Sequence, residues 1–132
     1  MKELLSVLAQ YERLFFVAPR EFGFGPHTPV VYTEDAFSSM RINDRIGQEC
    51  IGLLSTHLPY QLVRFYKDST QVIWLDPDMR KVAVDLVTRY QSLGFKMTTI
   101  FSDEDPKFLN DMELRSSINK AVIEVAQGEH IL

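Results

Sequence analysis

Acidic residues stand just beyond two predicted strands of this chain, where carboxylates can bind a metal ion. Asp76 and Asp78 follow one short apolar segment, and Asp103 and Asp105 follow another. Oxygen ligands of this kind suit a hard divalent cation such as Mg²⁺. A cation held there could stabilise the charge on a phosphoryl group. These four aspartates therefore form a candidate metal site for phosphoryl transfer or hydrolysis.

The same acidic residues can also be explained as helix starts. Asp76 precedes Pro77, Asp105 precedes Pro106, and proline suits the first position of a helix. An aspartate before such a proline can accept hydrogen bonds from the free N–H groups of the first turn. Capping thus explains both aspartates without a metal, and the chain shows no base or nucleophile at a diagnostic spacing. The sequence on balance favours a non-enzymatic protein, and no cofactor is predicted.

Histidine and cysteine offer little catalytic potential in this chain. His27, His57 and His130 are far apart in sequence and lack the paired spacing of metal ligands. The single cysteine, Cys50, cannot form an internal disulfide, and it lies among apolar residues. We expect Cys50 to be a small buried side chain rather than a nucleophile.

An aromatic segment, residues 18–29, is the leading candidate for a binding surface. It holds three prolines, two glycines and two phenylalanines, and proline cannot donate to a β-ladder, so a loop is predicted. Phe22 and Phe24 would contact another protein, with Arg20 and His27 as the polar rim. Aromatic rings on a stiff loop lose little entropy on binding. The alternative is that both rings pack back onto the domain.

A second candidate surface combines aromatic and basic side chains. Arg64, Tyr66, Lys67 and Trp74 fall in a predicted hairpin, residues 60–75. RNA-binding sheets stack bases on aromatic residues in a comparable way. The net charge of −4 argues against broad affinity for nucleic acid, which needs concentrated positive charge. Nucleic-acid binding through this hairpin is therefore the alternative to protein binding.

The predicted secondary structure gives a recognisable order of elements. In chain order it comprises a helix at 2–17, a strand at 30–33, a helix at 36–40 whose pattern resumes after 43–44 and continues to 57, strands at 61–67 and 71–75, a helix at 77–93, a strand at 95–101 and a helical segment after 106. The central order, β-α-β-β-α-β, is that of a ferredoxin-like α/β sandwich, an α+β fold. The first and last helices would be additions to that core. Such a fold hosts many functions and does not choose among them.

Length and composition bound the class of protein. A chain of 132 residues is the usual size of one domain, so residues 1–132 are predicted to form a single globular unit. No segment approaches about eighteen consecutive apolar residues, and no secretory signal is evident, so a soluble cytoplasmic protein is expected. The leading hypothesis is a regulatory, inhibitory or assembly module that binds another protein. A nucleic-acid-binding regulator and a metal-dependent enzyme are the alternatives.

Overall fold

The fold is a five-stranded sheet with helices on both faces in a computed structural model, which describes residues 2–9, 15–18 and 29–128. Within these residues the helices are α1 (Lys2–Leu8), α2 (Ala36–Ile46), α3 (Tyr60–Phe65), α4 (Arg80–Ser92) and α5 (Asp111–Ala126). The strands are β1 (Phe16–Ala18), β2 (Val30–Thr33), β3 (Cys50–Gly52), β4 (Gln71–Trp74) and β5 (Met97–Thr99). Short 3-10 turns, Pro77–Met79 and Pro106–Phe108, precede α4 and α5.

The sheet is parallel except at one edge. Its strand order is β1-β3-β2-β4-β5; β1 is antiparallel to β3, and every other neighbouring pair is parallel. After β2 the chain places β3 on one side of β2 and then crosses to the opposite side, where β4 and β5 follow. The carboxyl ends of β2 and β4 therefore lie side by side at a topological switch point. Open α/β sheets usually bind their ligands in the crevice at such a point.

The central strands are apolar because both faces of the sheet are covered. Every residue of β2 and of β4 is buried, as parallel strands between two helical layers require. On one face Tyr32 and Ile73 belong to a core shared with α1, α3 and α4. On the other face Val31 and Trp74 belong to a core shared with α2 and α5. The two cores hold β2 and β4 rigidly beside each other.

Residues 61–67, which were predicted to form a strand, form helix α3 and the turn after it. Its buried positions are Leu62, Val63 and Tyr66, a spacing that places all three on one helical face. On a strand Phe65 would share a face with the buried Val63, but it is 38% exposed. Pro59 stands at the N-cap, with an extended backbone that leads into the helix. The predicted hairpin is therefore wrong.

Loss of the hairpin changes the topology of the sheet. The coarser prediction, a mixed α and β protein, is confirmed. The ferredoxin-like arrangement is not confirmed, because its hairpin would place two consecutive strands antiparallel, whereas four parallel strands run through this sheet. Helices also cover both faces of the sheet rather than one.

Two predicted helices end earlier than expected. The helix predicted over 2–17 ends at Leu8 in the described residues, and residues 16–18 form β1. The helical pattern predicted to break at 43–44 and to continue to 57 is instead one uninterrupted helix, α2, which ends at Ile46 because Gly47 takes a left-handed backbone with φ of 68°. Cys50 then begins β3, and its side chain is fully buried, as expected.

Candidate functional site

Three aspartates meet at the switch point, each from a segment that follows a parallel strand. Asp35 follows β2, Asp76 follows β4, and Asp105 lies in the connection after β5. Each offers one carboxylate oxygen, and the three oxygens all lie within 4.8 Å of one another. Ligands bound about 2.0–2.6 Å from a hard cation can be up to about 4–5 Å apart. The three aspartates are therefore close enough to share one ion.

Asp35 is held in place through both of its carboxylate oxygens. Its Oδ1 accepts a hydrogen bond of 2.6 Å from the backbone N–H of Ser38, which makes Asp35 the N-cap of α2. Its Oδ2 accepts one of 3.0 Å from Nζ of Lys107. Partial burial raises the pKa of Asp35, but the hydrogen bonds from Ser38 and Lys107 lower it more, so the net pKa lies below its ordinary value. Asp35 is accordingly a fixed anion at neutral pH.

Asp76 and Asp105 do not cap the turns that they precede. Pro77 and Pro106 begin 3-10 turns, as the sequence indicates, but neither aspartate side chain makes a capping hydrogen bond. The predicted capping role is therefore wrong. Both carboxylates contribute instead to the cluster with Asp35.

Lys107 supplies a positive charge inside this cluster. Its Nζ lies 3.0 Å from Oδ2 of Asp35 and 3.4 Å from Oδ2 of Asp105. The hydrogen bond to Asp35 is the main cause of a raised pKa for Lys107, so its ammonium stays charged at neutral pH. Among the described residues, Asp76 has no ion-pair partner of its own, and its charge is the least compensated of the three.

Glu34 adds a fourth carboxylate, which sequence reasoning missed. Its Oε2 is buried and receives no hydrogen bond from a donor among the described residues, but the carboxyl group shares a side-chain hydrogen bond with Asp76. Burial is the largest cause of its raised pKa, followed by the charges of Asp76 and Asp78. Buried polar atoms in proteins normally have a partner, and an exception often marks a functional position. A cation bound by the neighbouring aspartates would offset this accumulation of negative charge.

The predicted metal residues are brought together only in part. Asp76 and Asp105 belong to the cluster, whereas Asp78 and Asp103 are exposed and lie outside the group of three. The charge of Asp78 still raises the pKa of Asp76, after burial and the larger effect of Asp105. Asp35 was not among the predicted metal residues. The signal that finds it is its place directly after the first strand of a parallel sheet.

The residues proposed to bind nucleic acid do not form one surface. Trp74 is fully buried on β4, and Tyr66, which follows α3, is 8% exposed. Arg64 and Lys67 are exposed on or just after α3. Both aromatic rings are therefore in the core, and no stacking platform joins them to the two basic residues.

The residues proposed to bind a partner protein, Arg20, Phe22, Phe24 and His27, lie outside the described residues. Their role stays a prediction. His57 is exposed in the connection between β3 and α3.

Comparisons with protein-family models, curated proteins and solved structures give no match to this chain. Across the described ranges, every helix is too short or too polar to cross a membrane. Function is therefore argued from the geometry at the switch point.

Without metal, Asp76→Asn should be more stable than the wild type at neutral pH. The pKa of Asp76 is raised above its ordinary value of 3.8, by burial first and then by Asp105 and Asp35. A carboxyl group with a raised folded-state pKa destabilises the fold above that pKa. The penalty is lost as the pH falls through the raised pKa towards 3.8.

Melting temperatures in EDTA, measured from about pH 7 down to about pH 3, test this sign. We expect the excess in melting temperature of Asp76→Asn over the wild type to be largest at the highest pH and to disappear at the lowest pH. A wild type that is the more stable of the two at neutral pH would show that the charge of Asp76 supports the fold.

Proposed function

We propose that this protein binds a divalent cation through Asp35, Asp76 and Asp105 and uses it in phosphoryl transfer or phosphate-ester hydrolysis. The observation that carries the proposal is the convergence of the three carboxylate oxygens within 4.8 Å at the switch point. The carboxyl group of Glu34, whose buried Oε2 receives no hydrogen bond from a donor among the described residues, lies against Asp76 and adds to the negative charge there.

The charge balance of the cluster favours a bound cation. Like charges at short range raise each other's pKa and cost folding free energy. Lys107 pairs with Asp35 and Asp105 but not with Asp76, and Glu34 adds a further carboxylate. Capping, the structural explanation for Asp76 and Asp105, is absent. A divalent cation would compensate the remaining charge.

The ligand chemistry points to Mg²⁺ or Mn²⁺ and to a phosphate ligand. Mg²⁺ binds proteins through a few carboxylates, keeps several waters, and uses the remaining positions for substrate phosphates. The site also lies at the open carboxyl edge of the sheet, where ligands of such folds bind. A cation there would act as a Lewis acid on a phosphoryl oxygen.

Glu34 is the candidate proton acceptor of the reaction. Burial and the charge of Asp76 raise its pKa above the ordinary value, and a raised pKa makes a carboxylate a stronger base. In hydrolysis, water would attack phosphorus while Glu34 takes the proton of the water. The bond between phosphorus and the leaving oxygen would then break, and that oxygen would either take the proton back from Glu34 or, for a good leaving group such as p-nitrophenolate, depart as an anion while Glu34 returns its proton to solvent.

This proposal takes the metal-dependent alternative rather than the non-enzymatic module that the sequence favoured. The protein-binding hypothesis rests on Phe22 and Phe24 and stays a separate prediction. A partner could bind there whether or not the switch point holds a metal.

Turnover should require both the divalent cation and Asp76. We expect the purified protein to hydrolyse p-nitrophenyl phosphate, bis(p-nitrophenyl) phosphate, or both in Mg²⁺ or Mn²⁺, and to lose this activity in EDTA. Asp76→Asn should lower the rate by at least about 100-fold, a loss in the range seen for single charge-stabilising groups.

Asp103→Asn is the matched control, because Asp103 is an exposed aspartate outside the group of three. It should leave the rate unchanged. Equal rates for the two variants would contradict the assignment. Saturable metal binding without turnover of either ester would keep the metal site and remove the phosphoryl-transfer proposal.

A further inference from the structure

The guanidinium group of an arginine lies over an aromatic ring next to the aspartate cluster. The guanidinium carbon of Arg80 is 4.6 Å from the centre of the Phe101 ring. Arg80 begins α4, and Phe101 lies just after β5, so two neighbouring connections at the carboxyl edge bring them together. Both residues line the same small cleft as Asp76 and Ser102. The pair therefore shares a cleft with one of the three clustered aspartates.

Arg80 carries a charge that no carboxylate of the described residues compensates by an ion pair. It is exposed, yet none of the described carboxylates lies within ion-pair distance of it. Lys107, by contrast, is committed to Asp35 and Asp105. Stacking on a ring face leaves the N–H donors at the edge of a guanidinium free, and their planar fork matches two oxygens of a phosphate. Arg80 can therefore donate hydrogen bonds to an anion that enters the cleft.

An anionic substrate needs such a residue at this site. The carboxylates of Asp76 and Glu34 would repel a phosphate, and the charge of a single bound metal ion would be shared among several acidic ligands. A second cation beside the metal lowers this repulsion and fixes the orientation of the phosphate. The ring of Phe101 limits the freedom of the arginine side chain, so less entropy is lost when the phosphate binds.

We propose that Arg80, supported by Phe101, binds a phosphate oxygen of the substrate and positions the phosphorus beside the metal. This proposal rests on the proposed metal-dependent phosphoryl chemistry and assigns a residue that recognises the substrate. Arg80 binds no metal itself, so its loss should change phosphate affinity and leave metal affinity intact.

The same helix provides a matched control. The guanidinium carbon of Arg89 lies 5.1 Å from the centre of the Tyr90 ring, so a second exposed arginine contacts an aromatic ring, here a buried one. Nine residues at about 1.5 Å each place it roughly 13 Å further along α4, away from the carboxyl edge. Arg89→Gln removes an equal charge and an equal kind of contact without touching the cleft.

Calorimetric titration of Mn²⁺, and then of inorganic phosphate into the Mn²⁺-loaded protein, tests the proposal. We expect Arg80→Gln to bind Mn²⁺ like the wild type and to bind phosphate about 10- to 100-fold more weakly, the range for hydrogen bonds to charged groups. Arg80→Lys, which keeps the charge but loses the fork, and Phe101→Leu should each give a smaller loss. Arg89→Gln should bind both ligands normally.

The outcomes separate the two proposals. Wild-type affinity for phosphate in Arg80→Gln, with Mn²⁺ binding intact, overturns the role of Arg80 alone. Failure of the wild type to bind Mn²⁺ overturns the metal centre itself. A Mn²⁺-loaded wild type that does not bind phosphate contradicts both the phosphate chemistry and the role of Arg80. Melting curves that match the wild type confirm that each variant is folded.

Discussion

Asp76→Asn should weaken Mn²⁺ binding by at least about 100-fold while the fold stays intact. Loss of an outer-shell partner alone typically costs about 10–100-fold in metal affinity, and a direct ligand contributes more. Asparagine keeps the size of the side chain and the geometry at the start of the 3-10 turn, so only the charge and one ligand are lost. Asp76 makes no capping hydrogen bond whose loss could unfold the turn.

Calorimetry at neutral pH measures this loss, with circular dichroism as the check on folding. Asp103→Asn should bind Mn²⁺ like the wild type. Lys107→Gln should bind it more tightly, because the ammonium of Lys107 occupies Asp35 and Asp105 and repels an incoming cation. Unchanged affinity in Asp76→Asn would mean that any bound ion lies elsewhere.

Trp74→Ala should destabilise the protein by about 3–5 kcal/mol, the usual cost of truncating a large aromatic core residue to alanine. Trp74 is fully buried between the sheet and the helices α2 and α5. Its Nε1–H donates a hydrogen bond of 3.0 Å to Oγ of Ser102, in the connection after β5. The substitution would therefore leave a cavity and release the segment that leads to Asp105.

Urea denaturation with a linear extrapolation gives the change in free energy of unfolding. Met112→Ala is the control: Met112 is 78% exposed, so little change is expected. A loss below about 1 kcal/mol for Trp74→Ala would place the ring outside the core and would restore the hypothesis that it stacks on bases.

The elements with strong local signals were predictable from the sequence. β2 was placed at residues 30–33, as observed. Helix α4 was recognised from its apolar spacing and from Gly94, which takes the left-handed backbone expected beyond a helix end, with φ of 93°. The strand β5 falls inside the predicted segment 95–101. In each case the apolar spacing and the residues that end the element indicate the same secondary structure.

The error at residues 61–67 came from a short apolar run, which periodicity alone cannot assign to helix or strand. Tertiary packing decides it: Leu62 and Tyr66 share one buried helical face. The misassigned strand also hid the parallel sheet and its switch point. Without a parallel sheet there was no reason to place Asp35 beside Asp76.

The candidate site was predictable only as a set of acidic strand ends. Asp76 and Asp105 were identified by their position after strands, but their prolines made capping the simpler explanation. Asp35 does cap a helix, through Ser38, and still contributes to the cluster. A residue with two roles cannot be recognised from the local sequence, because the second role depends on strands that are distant along the chain.

Anomalous diffraction from crystals grown in Mn²⁺ tests the metal centre itself. We expect a strong peak at the switch point, with carboxylate oxygens of Asp35, Asp76 and Asp105 within about 2.0–2.6 Å of the ion. The same crystals of Asp76→Asn should lack that peak. Mn²⁺ bound only at other positions, with these three carboxylates still paired to Lys107 or to water, would contradict the proposed metal centre.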